Sequence, residues 1–232
     1  MNFAGIQKLT LLDYPGKTAC TLFTDGCNLR CPFCHNARLV LPEMRDETIL
    51  SGAEILAFLK KRAGLLDGVC ITGGEPLLHI RELREFLKEV RSLGYAVKLD
   101  TNGTRPEALA KLLRDGLIDY TAMDVKNAFP YYPETVGLPD FDVTPVKESI
   151  SLLMTSGIDY EFRTTVVREF HTVERIRELA QSVAGAKRYF LQGFRDSGEL
   201  IADAGELSAV PAAEMQEMRD AAAEFCPTEI RG

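Results

Sequence analysis

No stretch of this sequence approaches the ~20 consecutive apolar residues needed to cross a bilayer, so no membrane-spanning helix is expected. The first dozen residues also lack the basic start and long apolar run of a secretory leader. Basic residues are in deficit. Lys and Arg number 27 against 34 Asp and Glu, leaving a formal net charge of −7, which argues against a nucleic acid as partner for the surface as a whole. Cysteine is too sparse for a disulfide scaffold, with six in 232 residues, whereas secreted scaffolds are smaller and denser in it. Repeats, charge blocks and low-complexity tracts are also missing. The expectation is a cytoplasmic protein that contacts neither membrane nor nucleic acid. Its thiolates are available as metal ligands, because three of the six cysteines fall within eight residues of one another.

What is present is an alternation of short apolar runs with amphipathic stretches. The runs 17–23, 69–72, 96–99, 120–123, 160–167 and 188–192 predict six strands. Helices are predicted between and after them. Ser51 with Glu54 three residues on is a capping box, and Ile55, Phe58 and Leu59 give the apolar stripe behind it. Leu83, Phe86, Leu87, Val90 and Leu93 follow helical spacing up to Gly94. Pro106, Thr144-Pro145 and Thr172 open three more helices, and a last one is predicted over 211–225. The segment 127–143, rich in Pro, Tyr and Asp, predicts a long functional or lid-like loop. Six βα units are too few to close an ordinary eight-stranded barrel. The predicted architecture is therefore a single α/β domain over residues 1–232, a partial (β/α)6 TIM-like barrel, in preference to a doubly wound sheet.

Polar or glycine-rich clusters follow directly after the first four predicted strands. They are the cysteine segment, Gly73-Gly74-Glu75-Pro76, Asp100-Thr101-Asn102-Gly103 and Asp124-Val125-Lys126. Parallel α/β folds put the carboxyl ends of their strands on one face, where sites form, so the four clusters are expected to converge.

Cys27-Asn28-Leu29-Arg30-Cys31-Pro32-Phe33-Cys34 has the spacing C-x3-C-x2-C. Three thiolates on a short loop can hold three corners of a [4Fe–4S] cluster and leave one iron without a protein ligand. Zinc is the alternative, and it prefers a fourth ligand. His35 is awkwardly adjacent for that role, while His79 and His171 stay open. The other clusters have plain readings too. Two glycines often make only a turn, and Asp-Thr-Asn-Gly is a common Asx-type turn. Asp124 and Lys126 can be a surface ion pair. Arg163 sits in an otherwise apolar strand and needs an anionic partner, either a core carboxylate or a ligand's. Cys20, Cys70 and Cys226 are scattered and read as buried structural thiols.

The cysteine spacing with aromatic Phe33 before the third cysteine resembles the signature of the radical S-adenosylmethionine superfamily. The Gly73-Gly74-Glu75-Pro76 motif follows it in the order and at the distance seen there. His35-Asn36 after the third cysteine, Asp100-Thr101 and Asp124-Lys126 resemble the glycyl-radical enzyme activases within it. Asp13-Tyr14-Pro15-Gly16-Lys17 and the terminal Glu229-Ile230-Arg231-Gly232 resemble the activating proteins of anaerobic ribonucleoside-triphosphate reductase.

The resemblance implies a [4Fe–4S] cluster on Cys27, Cys31 and Cys34, with S-adenosylmethionine on the open iron. It implies cofactor contacts from Phe33, Gly73, Gly74, Glu75, Asp100, Thr101 and Lys126, with Arg163 a further candidate from its place in an apolar strand, and a monovalent cation near Asp100, Thr101 and Asp124. Gln192 stands where some activases carry a cofactor-touching histidine. The implied partners are a one-electron donor such as flavodoxin or ferredoxin and a glycyl-radical enzyme, with anaerobic ribonucleotide reductase the leading expectation. The implied reaction is oxidoreductive: a 5′-deoxyadenosyl radical installs a glycyl radical on that partner. A radical enzyme acting on a small molecule, and a non-enzymatic zinc or iron–sulfur protein, are the rival readings.

Overall fold

The computed structural model describes residues 1–41, 49–196, 200–203 and 205–231. Contacts divide them into two compact units, each built from several chain segments. The first unit comprises Met1–Asn28, Arg38–Thr101 and Arg105–Ala122, and the second Leu29–Ala37, Asn102–Thr104 and Met123–Gly232.

In the first unit, strands β1 (Asn2–Phe3) and β4 (Leu50–Ser51) pair antiparallel. The main strands are β2 (Gly5–Thr10), β3 (Ala19–Thr24), β5 (Gly68–Gly73) and β6 (Ala96–Thr101), joined by the start of β7 (Tyr120–Asp124). The order is β2-β3-β5-β6-β7. β2 runs antiparallel to β3, and β3, β5 and β6 are parallel, with Thr24 opposite Gly73 and Cys70 opposite Lys98. In β3 and β5 the residues Ala19, Cys20, Leu22, Val69, Cys70 and Ile71 are fully buried, the continuous apolar run expected of parallel strands covered on both faces.

Helices α1 (Ala37–Val40), α2 (Gly52–Lys61), α3 (Ile80–Ser92) and α4 (Pro106–Arg114) complete this part of the chain. α2 starts on the expected capping box, with both reciprocal Ser51–Glu54 bonds formed. α3 buries Leu83, Phe86, Leu87 and Val90, and the Phe86 ring meets Phe3 at 4.9 Å between centroids. Its stop is set by Gly94, whose φ of +87° is the left-handed C′ conformation that favours glycine.

The second unit contains α5 (Tyr132–Thr135), α6 (Thr144–Thr155), β8 (Asp159–Val166), α7 (Val173–Ser182), β9 (Tyr189–Gly193), α8 (Ala212–Ala223) and β10 (Thr228–Arg231). Its strand order is β7-β8-β9-β10, with β8, β9 and β10 parallel. Phe162 and Thr228 flank Tyr189 in register. The buried Tyr189 hydroxyl is satisfied by Thr164 Oγ1 at 2.8 Å.

All six predicted strands are present, and the strand order does not close into a ring. The class is α/β with a mainly parallel sheet, the open partial-barrel type expected. Strands β1, β2, β4 and β10 lie outside the six. Two of them are only two residues long, β2 exposes Gln7, Lys8 and Leu9, and β10 is a four-residue strand just after a helix. None carries the buried apolar run that reveals a parallel strand. No helix among the described residues is long and apolar enough to cross a membrane.

The segment 127–143 differs from the expected lid. Asn127, Ala128, Tyr132, Thr135 and Val136 are buried. Asn127 Nδ2 donates to Thr135 Oγ1 and to the Phe170 carbonyl, both at 2.9 Å, while its Oδ1 accepts the Ala128 N–H. Arg175 closes over this segment, stacking on Tyr131 and pairing with Glu134. Proline, tyrosine and polar content suggested a lid-like loop, but Asn127, Tyr132 and Thr135 face inward with their polar groups satisfied, while Phe129, Tyr131 and Phe141 are half-buried.

Candidate functional site

In the first unit, the end of β3 and the loop bearing Cys27 lie directly against the end of β5. Gly74 N–H donates to the Thr24 carbonyl and Glu75 N–H to the Gly26 carbonyl, at 3.0 and 2.8 Å. The two backbones are so close that side chains cannot fit. A Cβ on Gly74 would stand 2.5 Å from the Gly26 carbonyl carbon, and one on Gly73, whose φ is +120°, would meet the Thr24 backbone inside 3.0 Å. Both glycines are thus required by strand-end packing, and Gly74 seats the residue preceding Cys27.

Glu75 is fully buried. Its Oε1 accepts the Leu77 N–H at 3.0 Å and the Thr101 hydroxyl at 2.9 Å. It therefore caps the 3-10 turn Pro76–His79 and ties the end of β5 to the end of β6. His79 Nε2 binds the Asp25 carbonyl at 2.7 Å on the other side of the loop. Asp100, one residue before Thr101, is ion-paired with Lys98 on the same face of β6. The Cys70 sulfur lies 3.8 Å from its carboxylate.

In the second unit the cysteine loop continues through Cys31 and Cys34, which share a tight turn with the Cys34 N–H on the Cys31 carbonyl at 3.1 Å. The turn is held from several directions. Arg30 N–H donates to the Val136 carbonyl, and Ala202 N–H to the Pro32 carbonyl, both at 2.9 Å. The Phe33 ring packs on Phe170 with centroids 5.8 Å apart. His35 stacks on Phe194 and binds the Arg195 carbonyl through Nε2 at 2.6 Å. Burial pushes the Cys34 thiol up, opposed by the Asn36 N–H and by Lys126. Asn102 and Thr104 form the plain Asx turn, with Asn102 Oδ1 accepting the Thr104 N–H and hydroxyl.

Asp124 is held by two cations. Lys126 Nζ lies 3.0 Å from Oδ2 and Arg163 Nε 3.0 Å from Oδ1, so Arg163 has the carboxylate partner its position in β8 demands. Burial alone would raise the Asp124 carboxyl, but Lys126 and Arg163 lower it to about 2. Burial likewise opposes the Lys126 charge, and the charges of Asp124 and Cys31 overcome it and raise its pKa.

The backbone under Lys126 is clamped. Its N–H donates to the Tyr132 hydroxyl at 3.1 Å, and its carbonyl accepts from His171 Nε2 at 2.9 Å. Since Nε2 faces a carbonyl, the neutral imidazole carries its proton there and Nδ1 accepts the Val167 N–H at 3.0 Å. Burial lowers the His171 pKa, which favours that neutral form. His171 thus has both ring nitrogens engaged and is not a fourth zinc ligand.

Tyr132, Val136 and Lys98 were not singled out in the sequence, and His171 only as a possible zinc ligand. Tyr132 and His171 support Lys126, and Val136 supports Arg30, from neighbouring elements, whereas Lys98 supports Asp100 from within β6 and left a sequence signal as a lysine inside an apolar strand. No disulfide joins the six cysteines, and Cys20, Cys70 and Cys226 are buried. Burial raises Cys20 to about 12. Gln192 lies in β9, in register with Thr165 and Arg231. Gly232, the last residue of the terminal motif, lies outside the described residues.

Three thiols within eight residues are the donor set an iron–sulfur cluster takes, and Lys126 interacts electrostatically with Cys31 and Cys34, although among the described residues no three His, Cys, Asp or Glu side chains are gathered as a metal site.

The profile of the Radical SAM superfamily matches residues 21–183. A protein of Methanocaldococcus jannaschii, provisionally named a glycyl-radical enzyme activating enzyme, is 35% identical over 195 residues, which span 82% of this chain and 79% of that one. The 7-carboxy-7-deazaguanine synthase of Koribacter versatilis is 28% identical over 197 residues, 84% of this chain and 81% of that one. In fold, the chain resembles Streptococcus suis SuiB bound to S-adenosylmethionine. The TM-score is 0.67 at 15% identity, covering 89% of this chain and 48% of that one.

Proposed function

The chain belongs to the radical S-adenosylmethionine superfamily, and from that membership we propose that it is an activase that installs a glycyl radical on a partner enzyme. The partner proposed is an anaerobic ribonucleoside-triphosphate reductase. The observation that carries the reading is the 35% identity to a protein of that provisional name over four-fifths of both chains.

In this proposal Cys27, Cys31 and Cys34 hold three irons of a [4Fe–4S] cluster and leave the fourth for the amino and carboxylate groups of S-adenosylmethionine. When bound and reduced by one electron from a flavodoxin or ferredoxin, that pair supplies reductive cleavage of the sulfonium to methionine and a 5′-deoxyadenosyl radical, which takes a hydrogen atom from a backbone glycine of the partner. The chain's own task is positioning. Gly73 and Gly74 let the Cys27 loop seat on the end of β5, and Glu75 with Thr101 locks that edge beside the cofactor. Lys126 and Arg163 are the cations proposed to meet a cofactor carboxylate, with Asp124 setting their geometry. Phe33 supplies an apolar wall, anchored by Phe170. Asp100 is proposed at the same site, already carrying its own counter-charge.

The test is anaerobic reconstitution followed by assay. About four irons per chain, cofactor cleavage with a low-potential reductant and a glycyl electron paramagnetic resonance signal on mixing with the reductase are expected. Stoichiometric zinc in a colourless protein would sink the reading, and a reducible cluster without cofactor cleavage would make the protein an electron carrier.

One observation favours a second reading, a radical enzyme acting on a small molecule. The likeness to a 7-carboxy-7-deazaguanine synthase also extends over four-fifths of both chains. Cofactor cleavage stimulated by a small purine-like or deazaguanine-like compound, with no glycyl signal on any reductase, would decide for it.

A further inference from the structure

Lys98 is a lysine with almost no access to water. It lies inside β6, its side chain is 2% exposed, and its ammonium is ion-paired with Asp100. The remaining neighbours of that ammonium are the Cys70 sulfur at 3.9 Å and the face of Tyr120, 6.0 Å to the ring centroid. Burying a charge this deeply is tolerated only with an opposite charge in contact, and among the described contacts of Lys98 that charge is Asp100. The pairing follows from the strand: residues 98 and 100 are two apart and emerge on the same face.

We propose that Lys98 is a built-in cation, occupying the place at Asp100 where a potassium or sodium ion would otherwise be needed, so that this protein takes no monovalent metal ion. An ammonium on a fixed tether does what a bound ion does for Asp100, without dependence on the ionic composition of the medium. Lys98 is on this account a positioning residue, acting through Asp100.

The inference concerns the site of the proposed function but not the partner, and binding of thallium(I), a potassium surrogate, is read without cofactor or partner. A failed activase assay therefore leaves it standing. The experiment titrates thallium(I) into the reconstituted protein, followed by thallium-205 magnetic resonance. It also measures the S-adenosylmethionine affinity in potassium chloride, sodium chloride and tetramethylammonium chloride at equal ionic strength. For wild type the expectation is no saturable thallium binding and the same affinity in all three salts. Lys98→Met is expected to lose about tenfold in affinity in tetramethylammonium chloride, the worth of a charged hydrogen bond, and to recover on addition of potassium or ammonium ions. Saturable thallium binding or potassium-dependent affinity in wild type would overturn the proposal. So would a folded Lys98→Met variant that is weakened but indifferent to potassium and ammonium. Should that variant fail to fold, the wild-type titration decides by itself.

Discussion

Replacing Gly74 by Ala adds one methyl group at the point where two strand ends touch. The new Cβ would lie 2.5 Å from the Gly26 carbonyl carbon and closer still to its oxygen, so the Cys27 loop must retreat by about 1.5 Å to reach ordinary contact. That retreat strains the bond from Glu75 N–H to the Gly26 carbonyl. Overpacking costs about 1–3 kcal/mol and the lost hydrogen bond about 1 kcal/mol. Reduced freedom of the unfolded chain returns about 0.4–1 kcal/mol. The expected net loss is roughly 2–3 kcal/mol in urea unfolding of the apoprotein. The displaced loop carries Cys27, and misplacement by about 1 Å near a reacting centre can cost on the order of 100-fold, so cofactor cleavage is expected to fall at least tenfold. Gly94→Ala is the control. Gly94 has a positive φ, which Gly74 does not, but a Cβ there meets nothing within 4 Å, so the change should cost about 1 kcal/mol of backbone strain and leave iron content and cleavage unchanged. A Gly74→Ala protein with wild-type stability and cleavage rate would refute the claim that this glycine exists to seat the Cys27 loop.

The second half of the cysteine loop makes its own predictions. Gly137 combines a φ of +68° with a would-be Cβ 3.0 Å from the Arg30 carbonyl carbon. Gly137→Ala should therefore destabilise by more than about 2 kcal/mol and lower iron incorporation, whereas Gly157→Ala, in open space, should not affect iron. Tyr132→Phe removes the acceptor of the Lys126 N–H and should cost about 1–2 kcal/mol for the stranded donor, with a weaker affinity for S-adenosylmethionine measured by equilibrium binding. The Asp124 carboxyl, held at about 2 against an ordinary 3.8, has a lower pKa folded than unfolded. Its contribution, about 2 kcal/mol at most, is full above pH ~4 and disappears as pH falls through ~2. Urea unfolding of apo wild type and Asp124→Asn should show a stability gap at pH 6 that narrows by pH 2.5.

Fold class was legible because it rests on local pattern. The buried runs of β3, β5, β6, β7, β8 and β9 stand out as apolar stretches, and the stops and starts of α2, α3 and α4 are written in Ser51, Gly94 and Pro106. The inward packing of 127–143 was not legible. Nothing local distinguishes a tyrosine that is exposed from one, like Tyr132, that closes a core.

The candidate site divides in the same way. Spacing alone singled out Cys27, Cys31 and Cys34, and position after a strand singled out Gly74, Glu75, Asp100, Asp124 and Lys126. Those are properties of the chain read one residue after another, and the sequence by itself determined them. Tertiary structure decided what each side chain is bonded to. Glu75 holds Thr101 because β5 and β6 are neighbours, and Arg163 reaches Asp124 across 39 residues of sequence. Gly74 is a glycine because the Gly26 backbone stands in front of it. A buried charge or a missing Cβ is explained by the element packed against it, and which element that is depends on strand order. Lys98 is the clearest case. Its position two residues from Asp100 could be read directly, but only burial turned that spacing into an obligatory ion pair.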